Sequence, residues 1–200
     1  HDEVFKLNTW YYNIQKQENA SRASYFELGY HKFREDISIH ASIQYLHESE
    51  KKNSGVEADI YGGVVEVIRY GAGINIAYNK SKKHEGKRSF SGIGGGSLYT
   101  SMDTMILDEI TQDREASALV VGLEYDAKNW KLIYAYGNFE GKADSAGNTV
   151  HIVEQNLGVE YTPNDAFTLA AIYVKEEDKQ SSVKTTNDWD RAQLMITYDF

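Results

Sequence analysis

The stretch that decides the fold is residues 191–200, which read Arg-Ala-Gln-Leu-Met-Ile-Thr-Tyr-Asp-Phe and alternate without interruption between two kinds of side chain. One set is apolar: Ala192, Leu194, Ile196, Tyr198 and Phe200. The other set is mostly polar: Arg191, Gln193, Met195, Thr197 and Asp199. Because successive side chains of a β-strand point to opposite faces, this stretch predicts a strand with one face suited to lipid and one suited to water.

The same period-two alternation recurs through the chain and predicts ten strands. Their expected bounds are 4–15, 23–32, 37–46, 57–68, 73–80, 117–126, 130–139, 150–161, 166–175 and 189–200. Most are close to the ten or so residues that a tilted strand needs to cross a bilayer. The sequence therefore predicts an all-β fold, an antiparallel transmembrane β-barrel, with residues 1–200 as a single barrel domain.

The predicted connections are of two kinds that follow one another in turn. The short links are 33–36, 69–72, 126–129 and 162–165, and the longer ones are 16–22, 47–56, 81–116, 140–149 and 176–188. Outer-membrane barrels have short periplasmic turns and longer external loops, so both chain ends are expected on the periplasmic side. Aromatic residues beside the short links are expected to form a girdle at the membrane surface, among them Tyr125, Trp130 and Tyr161.

Composition is compatible with this fold and excludes several others. The mean hydropathy of -0.56 is low, but a barrel with a wet interior keeps its average hydropathy low. The chain has no cysteine, which excludes thiol chemistry and disulfides, and its net charge of -9 argues against a nucleic-acid partner. The alternative is a soluble β-sandwich or lipocalin-like barrel, which seldom collects aromatic residues at strand ends with such a regular asymmetry of links.

The link 81–116 is too long for an ordinary hairpin and is expected to have a function. Its second part combines glycines with apolar residues that need a dry surface. We therefore expect it to fold toward the lumen and narrow the passage; the alternative is a loop that caps the rim or lies against a neighbouring subunit. The residues expected at the constriction are Gly94, Gly95, Gly96, Tyr99, Asp103 and Asp108.

Several segments resemble the C-terminal half of OprD-type outer-membrane porins of Gram-negative bacteria. They are GGGSLYTSMDTM (94–105), ALVVGLEYDAKNWKLIYAYGNFEG (118–141), HIVEQNLGVEYTPNDAFTLAAIYVKEEDK (151–179) and DWDRAQLMITYDF (188–200). The resemblance implies a barrel of about eighteen strands, often trimeric, with a channel constricted by infolded loops. The present chain would then be a C-terminal fragment with the last ten strands; a self-contained ten-stranded barrel is the alternative.

Alternation predicts which charged residues face the lumen. The expected pore-lining residues are Glu27, His40, Glu66, Glu124, Lys131, Glu154, Glu160 and Arg191. Acidic residues outnumber basic ones, which favours cations, although OprD-type channels are associated with basic residues that guide carboxylates, and only Lys131 and Arg191 could belong to such a set. Each residue could instead stiffen the wall through cross-strand pairing, and Arg191 could hold the long loop.

The predicted function is passive diffusion of small hydrophilic solutes or ions through the bacterial outer membrane, with outer-membrane lipid and a homotrimer as expected partners. No cofactor, catalytic residue or nucleic-acid partner is expected. The competing hypotheses are an adhesive barrel that binds partners through its external loops and, third, a small barrel enzyme. A calcium site of Asp108, Glu109 and Asp113 is conceivable, since calcium prefers oxygen ligands.

Overall fold

A computed structural model of the protein describes residues 2–16, 18–90, 98–164, 166–183 and 188–198. They form ten strands: β1 (Asp2–Lys16), β2 (Asn19–Arg34), β3 (Ile37–Lys52), β4 (Ala58–Arg69), β5 (Ala72–Ser81), β6 (Ala116–Ala127), β7 (Trp130–Gly141), β8 (Val150–Asn164), β9 (Phe167–Asp178) and β10 (Trp189–Tyr198). A short 3-10 helix, η1, spans Leu107–Ile110. Within the described part of the chain, no helix is both long and apolar enough to cross a membrane.

All ten strands belong to one sheet, in the order β1 to β10, and every neighbouring pair is antiparallel. The prediction of ten antiparallel strands is therefore confirmed. Strands β1 and β10 lie at opposite edges of the sheet, and the pairing given for the described residues does not join them.

The first predicted loop is shorter than expected. Most of the link expected at 16–22 belongs to the strands, because β1 ends at Lys16 and β2 begins at Asn19. Likewise β3 continues to Lys52, beyond the predicted end at residue 46. Backbone pairing continues here through residues that are polar on both faces, and such residues give no period-two hydrophobic signal.

Three of the predicted short links are tight turns, at 35–36, 70–71 and 128–129. Between β4 and β5, Tyr70 and Gly71 have φ angles of 50° and 79°. Two successive positive φ values match the right-handed twist of a hairpin. A Cβ atom at Gly71 would collide with the carbonyl oxygen of Asp126, whose amide donates to the Gly71 carbonyl at 2.8 Å. Glycine is therefore required here for both conformation and space.

The sheet has two chemically different faces. Directly paired residues share a face, so the row Leu28–Ile43–Gly63–Tyr78–Leu119 belongs to one of them, here called the apolar face. Large apolar side chains on it are exposed; Ile43 and Leu157, for example, are each 58% exposed. A contiguous exposed apolar surface of this kind is unusual for a soluble monomer and typical of a surface that contacts lipid.

Aromatic residues mark both ends of the apolar face. Phe26, Tyr45 and Tyr61 are direct neighbours across β2, β3 and β4, towards the ends of β3 and β4 that meet at the link 53–57. Near the short turns, Trp130 and Tyr161 are paired with ring centroids 4.4 Å apart. Two such belts are expected where a barrel meets the two membrane surfaces.

The opposite side of the sheet, here called the loop face, carries the row Glu27–Gln44–Gly62–Asn79–Ala118. The segment between β5 and β6, here called the loop, packs against this face. The strands that it covers and their neighbours are called the wall. Its residues Leu98, Met105, Leu107 and Ile110 join wall residues in one buried apolar cluster, which includes Leu46, Ile60, Val120, Phe139 and Ile152. The apolar core of the protein therefore lies between the loop and the sheet.

Candidate functional site

The register brings all eight predicted wall residues to the loop face. Glu27 pairs with Gln44, His40 with Glu66, and Lys131 with Glu160. Glu124 shares this face through its partner Gly73, Glu154 through Gly137, and Arg191 through Val174. Strand pairing alone places these eight residues on one face. That they line a pore remains a prediction.

Other predicted wall residues form local polar contacts with neighbouring strand residues. The Glu27 carboxylate accepts hydrogen bonds from Asn8 and from the Tyr25 hydroxyl, both at 2.7 Å. The Lys131 ammonium lies 3.3 Å from Glu124 and 4.0 Å from Asp126. Such cross-strand pairs stiffen the wall, and they leave the acidic residues in excess.

Two histidines stack on the same face. The rings of His31 and His40 have centroids 4.1 Å apart, and His40 Nε2 lies 2.6 Å from the Ser42 hydroxyl. Glu66 faces His40 directly across the strand pair. Among the described residues, no group of three or more His, Cys, Asp or Glu side chains is arranged to hold a metal ion.

The loop is fixed to the wall by buried polar side chains that sequence reasoning did not select as anchors. Asn79 is fully buried, and its Oδ1 accepts hydrogen bonds from the backbone N–H and the hydroxyl of Thr100, both at 3.1 Å. Glu48, only 2% exposed, accepts hydrogen bonds from the Ser89 hydroxyl at 2.9 Å and the Phe90 N–H at 2.7 Å. Buried acceptors need partners, and here loop residues supply them.

Glu154 is the most heavily used anchor. It has no exposed surface, and it accepts hydrogen bonds from the backbone N–H groups of Asp103, Thr104 and Met105 at 3.1, 3.3 and 2.6 Å. Glu154 thus lies on the predicted face but beneath the loop, where it contacts loop backbone. Alternation predicted the face on which Glu154 lies, but it could not show that the loop covers the side chain.

The predicted constriction residues differ in their contacts. Asp103 forms an ion pair with Arg191, which joins the loop to the edge strand β10. Tyr99 packs against the buried cluster, and the Asp108 carbonyl accepts the Thr111 hydroxyl at 2.8 Å. Gly94, Gly95 and Gly96 lie outside the described residues.

The conceivable calcium ligands are not brought together. The Asp113 carboxylate accepts the N–H groups of Gly86 at 2.8 Å and Ser145 at 2.9 Å, which connects the long segment to the β7–β8 link. Hydrogen bonds from Ser145 and Gly86 hold the pKa of Asp113 down at about 2. Burial raises the pKa of Glu109 instead, and the nearby Asp108 adds to this. The carboxyl groups of Asp113 and Glu109 lie in different surroundings. The structure therefore gives no support for a calcium site that they share.

Small residues on the wall make room for the loop. A Cβ atom at Gly137 would collide with Met102 of the loop and would lie 2.7 Å from Phe139 Cε2. At Gly158, on the same face of the next strand, an added Cβ would make only ordinary contacts, the nearest with Ile133 Cβ at 3.6 Å. The two glycines therefore form a matched pair for a test.

We expect Gly137→Ala to lower the free energy of unfolding by about 1–3 kcal/mol, because the added methyl overpacks the contact with Met102. Gly158→Ala should change it by less than about 0.5 kcal/mol, since its methyl meets only ordinary contacts. Urea titration of the detergent-solubilised protein, followed by tryptophan fluorescence, measures both. Equal stability of the two variants would contradict the packing described here.

These features define a class of protein. An antiparallel sheet with an exposed apolar face, aromatic belts at both ends of that face and an opposite face carrying polar residues and an infolded loop has the pattern of part of the wall of a transmembrane β-barrel.

Comparison with solved structures agrees with this class. The fold is similar to Pseudomonas aeruginosa OccK9 (OpdG), with a TM-score of 0.72 and 14% identity over 97% of this chain and 54% of that one. It is similar to Acinetobacter baumannii OccAB4, with a TM-score of 0.74 and 16% identity over 96% of this chain and 49% of that one. Pseudomonas aeruginosa OpdK, solved with vanillate, gives a TM-score of 0.73 and 14% identity over 97% of this chain and 56% of that one.

These proteins are porins of the OprD type, so the resemblance drawn from the sequence is confirmed at the level of the fold. The chain spans about half the length of these solved structures. No protein-family model and no curated protein matches the sequence.

Proposed function

We propose that this chain forms part of the wall of an outer-membrane channel of a Gram-negative bacterium, through which small hydrophilic solutes or ions diffuse passively. One observation carries the proposal: all eight predicted wall residues share the face on which the loop packs, while the opposite face exposes its apolar side chains. A sheet of this kind separates hydrocarbon from water.

In this proposal the segment 98–115 narrows the passage, with Tyr99, Asp103 and Asp108 at the constriction together with Gly94, Gly95 and Gly96. Support comes from the buried cluster that the loop forms with the wall and from its ion pair to Arg191. The remaining charged residues of the wall set the field that ions experience.

The barrel is completed by further strands beyond the ten described. The two sheet edges and the half-length coverage of the solved structures support this part of the proposal. Backbone groups at an open edge cannot be left unpaired in hydrocarbon. The resemblance to OprD-type porins also supports a homotrimer in outer-membrane lipid, which chemical cross-linking in native membranes tests. The proposed protein is not an enzyme, and passive diffusion requires neither a cofactor nor energy coupling.

Planar-bilayer recording of the purified full-length protein, with all the strands of its barrel, tests the proposal directly. Stepwise ion current is expected, because a water-filled lumen conducts. Vanillate, the molecule with which OpdK was solved, is a first solute to test, by swelling of liposomes that contain the protein. An absence of current at every voltage, with the protein correctly folded in the bilayer, would favour the adhesive barrel instead.

A further inference from the structure

The apolar face contains a groove of about 410 Å³, lined by residues of β1 to β5. The lining is almost entirely apolar. On this face its smallest residues are Ala41 and Gly63, which leave space that larger side chains would fill. The larger residues around that space include Phe5, Tyr30, Ile43 and Tyr78.

The strands themselves give the depth of this groove in the membrane. On β4, Tyr61 belongs to one aromatic belt, Val65 lines the groove, and Arg69 ends the strand at the short turn. The same spacing recurs on β2, with Phe26, Tyr30 and Arg34. At about 3.3 Å per residue and a tilt of about 40°, the distance from Tyr61 to Arg69 covers roughly 20 Å of depth, close to the height of the apolar band of a barrel. The groove is therefore expected near mid-membrane, and the arginines at one membrane surface.

The two arginines at this surface are close enough to bind one group. Arg34 and Arg69 lie in one row of the sheet, because both are paired with Ile37. Their backbones are thus two strand spacings apart, about 10 Å, which two long side chains can bridge. Both residues are exposed on the apolar face.

Positive charge is available at this row. Two of the nearby basic residues have acidic partners: Lys32 with Glu3 at 2.6 Å, and Arg69 with Asp36 at 3.1 Å. Asp36 takes only Nε and Nη2 of Arg69, and a guanidinium has five N–H donors. None of the carboxylates in the described part of the chain forms an ion pair with Arg34, and the neighbouring Glu35 lies in the turn beyond the strand. A guanidinium at a membrane surface is well suited to bind a phosphate through parallel hydrogen bonds.

We propose that this part of the apolar face binds one phospholipid of the periplasmic leaflet, with an acyl chain in the groove and the phosphate at Arg34 and Arg69. An acyl chain presents only hydrocarbon, which matches the apolar lining. It also extends from the phosphate toward mid-membrane, which is the direction from the arginines to the groove. The groove and the two arginines therefore fit the two parts of one molecule.

Native mass spectrometry of the full-length protein in detergent, titrated with dimyristoyl phosphatidylglycerol, tests this inference. The second probe is the matched diacylglycerol, which has the same chains and no phosphate. We expect the wild type to retain one phosphatidylglycerol after other lipids have dissociated. Diacylglycerol should bind at least about fivefold more weakly, because it has no charge for the arginines to attract.

Arg34→Gln removes the charge without an acidic partner. It should weaken phosphatidylglycerol binding about fivefold and leave diacylglycerol binding unchanged. Arg22→Gln is the matched control, since Arg22 is an exposed arginine on the same face of β2, at the other end of the strand. Its binding of both lipids should equal that of the wild type.

Ala41→Leu fills the groove and should weaken the binding of both lipids about tenfold, because fewer methylene groups of the chain are then buried. Its control is Ala127→Leu: Ala127 lies on the same face, at the end of β6, and does not line the groove. Circular dichroism establishes that each variant is folded before lipid is added.

The same mass spectra report how many protein copies associate. If Ala41→Leu dissociates oligomers and leaves lipid binding unchanged, the groove is an interface between copies and the inference is wrong. It is also wrong if Arg22→Gln weakens binding as much as Arg34→Gln, or if diacylglycerol binds as tightly as phosphatidylglycerol.

The inference rests on one part of the proposed function, that the apolar face lies in lipid, and lipid binding is measured without ion flow. A protein that retains this phospholipid and passes no current would refute the channel while leaving the lipid site in place. A conducting protein that does not distinguish the two lipids would refute the lipid site alone.

Discussion

Replacing Val65 by arginine should destabilise the protein in a bilayer by about 2–4 kcal/mol, the cost of an arginine on the lipid side of a barrel near mid-membrane. Val65 is 52% exposed on the apolar face, and its direct partner is Ile76. Ile76 is the middle one of the three apolar residues Ile74, Ile76 and Tyr78 on that face of β5. This position is therefore expected near the centre of the hydrocarbon layer.

The adjacent residue supplies the control. Glu66 points to the loop face, where it lies opposite His40 and Asn75. Glu66→Arg should change stability by less than about 1 kcal/mol, because substitutions on the water-filled side of a barrel mainly alter selectivity. Folding of both variants into lipid vesicles can be followed by guanidinium titration with tryptophan fluorescence.

The same pair of variants separates a membrane barrel from a soluble one. In a soluble protein, an arginine at a half-exposed surface position changes stability by no more than about 0.5 kcal/mol. If Val65→Arg proves neutral in lipid vesicles and Glu66→Arg is the damaging change, the assignment of the two faces is reversed, and the proposed channel fails with it.

Shortening Met105 to alanine should detach the loop from the wall. Met105 is fully buried, and truncation of a buried methionine costs about 2–5 kcal/mol. Its backbone carbonyl accepts the Met102 N–H at 2.9 Å, and its N–H donates to Glu154. Alanine keeps both backbone bonds, so the variant removes side-chain packing alone.

We expect Met105→Ala to increase single-channel conductance and its noise, because a loop that no longer fills its place on the wall leaves the passage wider and moves within it. Limited proteolysis should also cut the loop faster. Ile106→Ala is the control, since Ile106 is only partly buried and should give nearly the wild-type result. Faster cleavage without any change in current would mean that the loop packs as described but does not restrict flow.

Much of the fold could be predicted because a membrane strand encodes its faces in alternate residues. Strand pairing agrees with the faces expected from alternation for β3, β5 and β6. In β9, apolar residues occupy nearly every position from 167 to 174, so alternation does not decide which face Ile172 and Val174 occupy. The structure places both on the loop face through their partners Gly158 and Asn156, because register is a property of two strands and is not contained in one.

The contacts of the loop could not be predicted in this way. Alternation gives the face on which Glu154 lies, but not that the loop covers it. One signal was present: apolar side chains occur on both faces toward the loop end of some strands, as in Tyr45–Leu46 and Ile152–Val153. An apolar side chain on the water-facing side of a strand is stable only if another part of the protein shields it from water. In this protein the loop shields Leu46 and Ile152, which belong to the buried cluster beneath it.

The close fit between Gly137 and Met102 has a consequence for how such proteins diverge. Wall and loop share one volume here, so an enlargement at residue 137 requires both the Met102 side chain and the Phe139 ring to give way. Descendants of a common ancestor should therefore show compensatory changes among residues 102, 137 and 139. Grafting the loop of one homologue onto the barrel of another should fail unless the residues beneath it are exchanged as well.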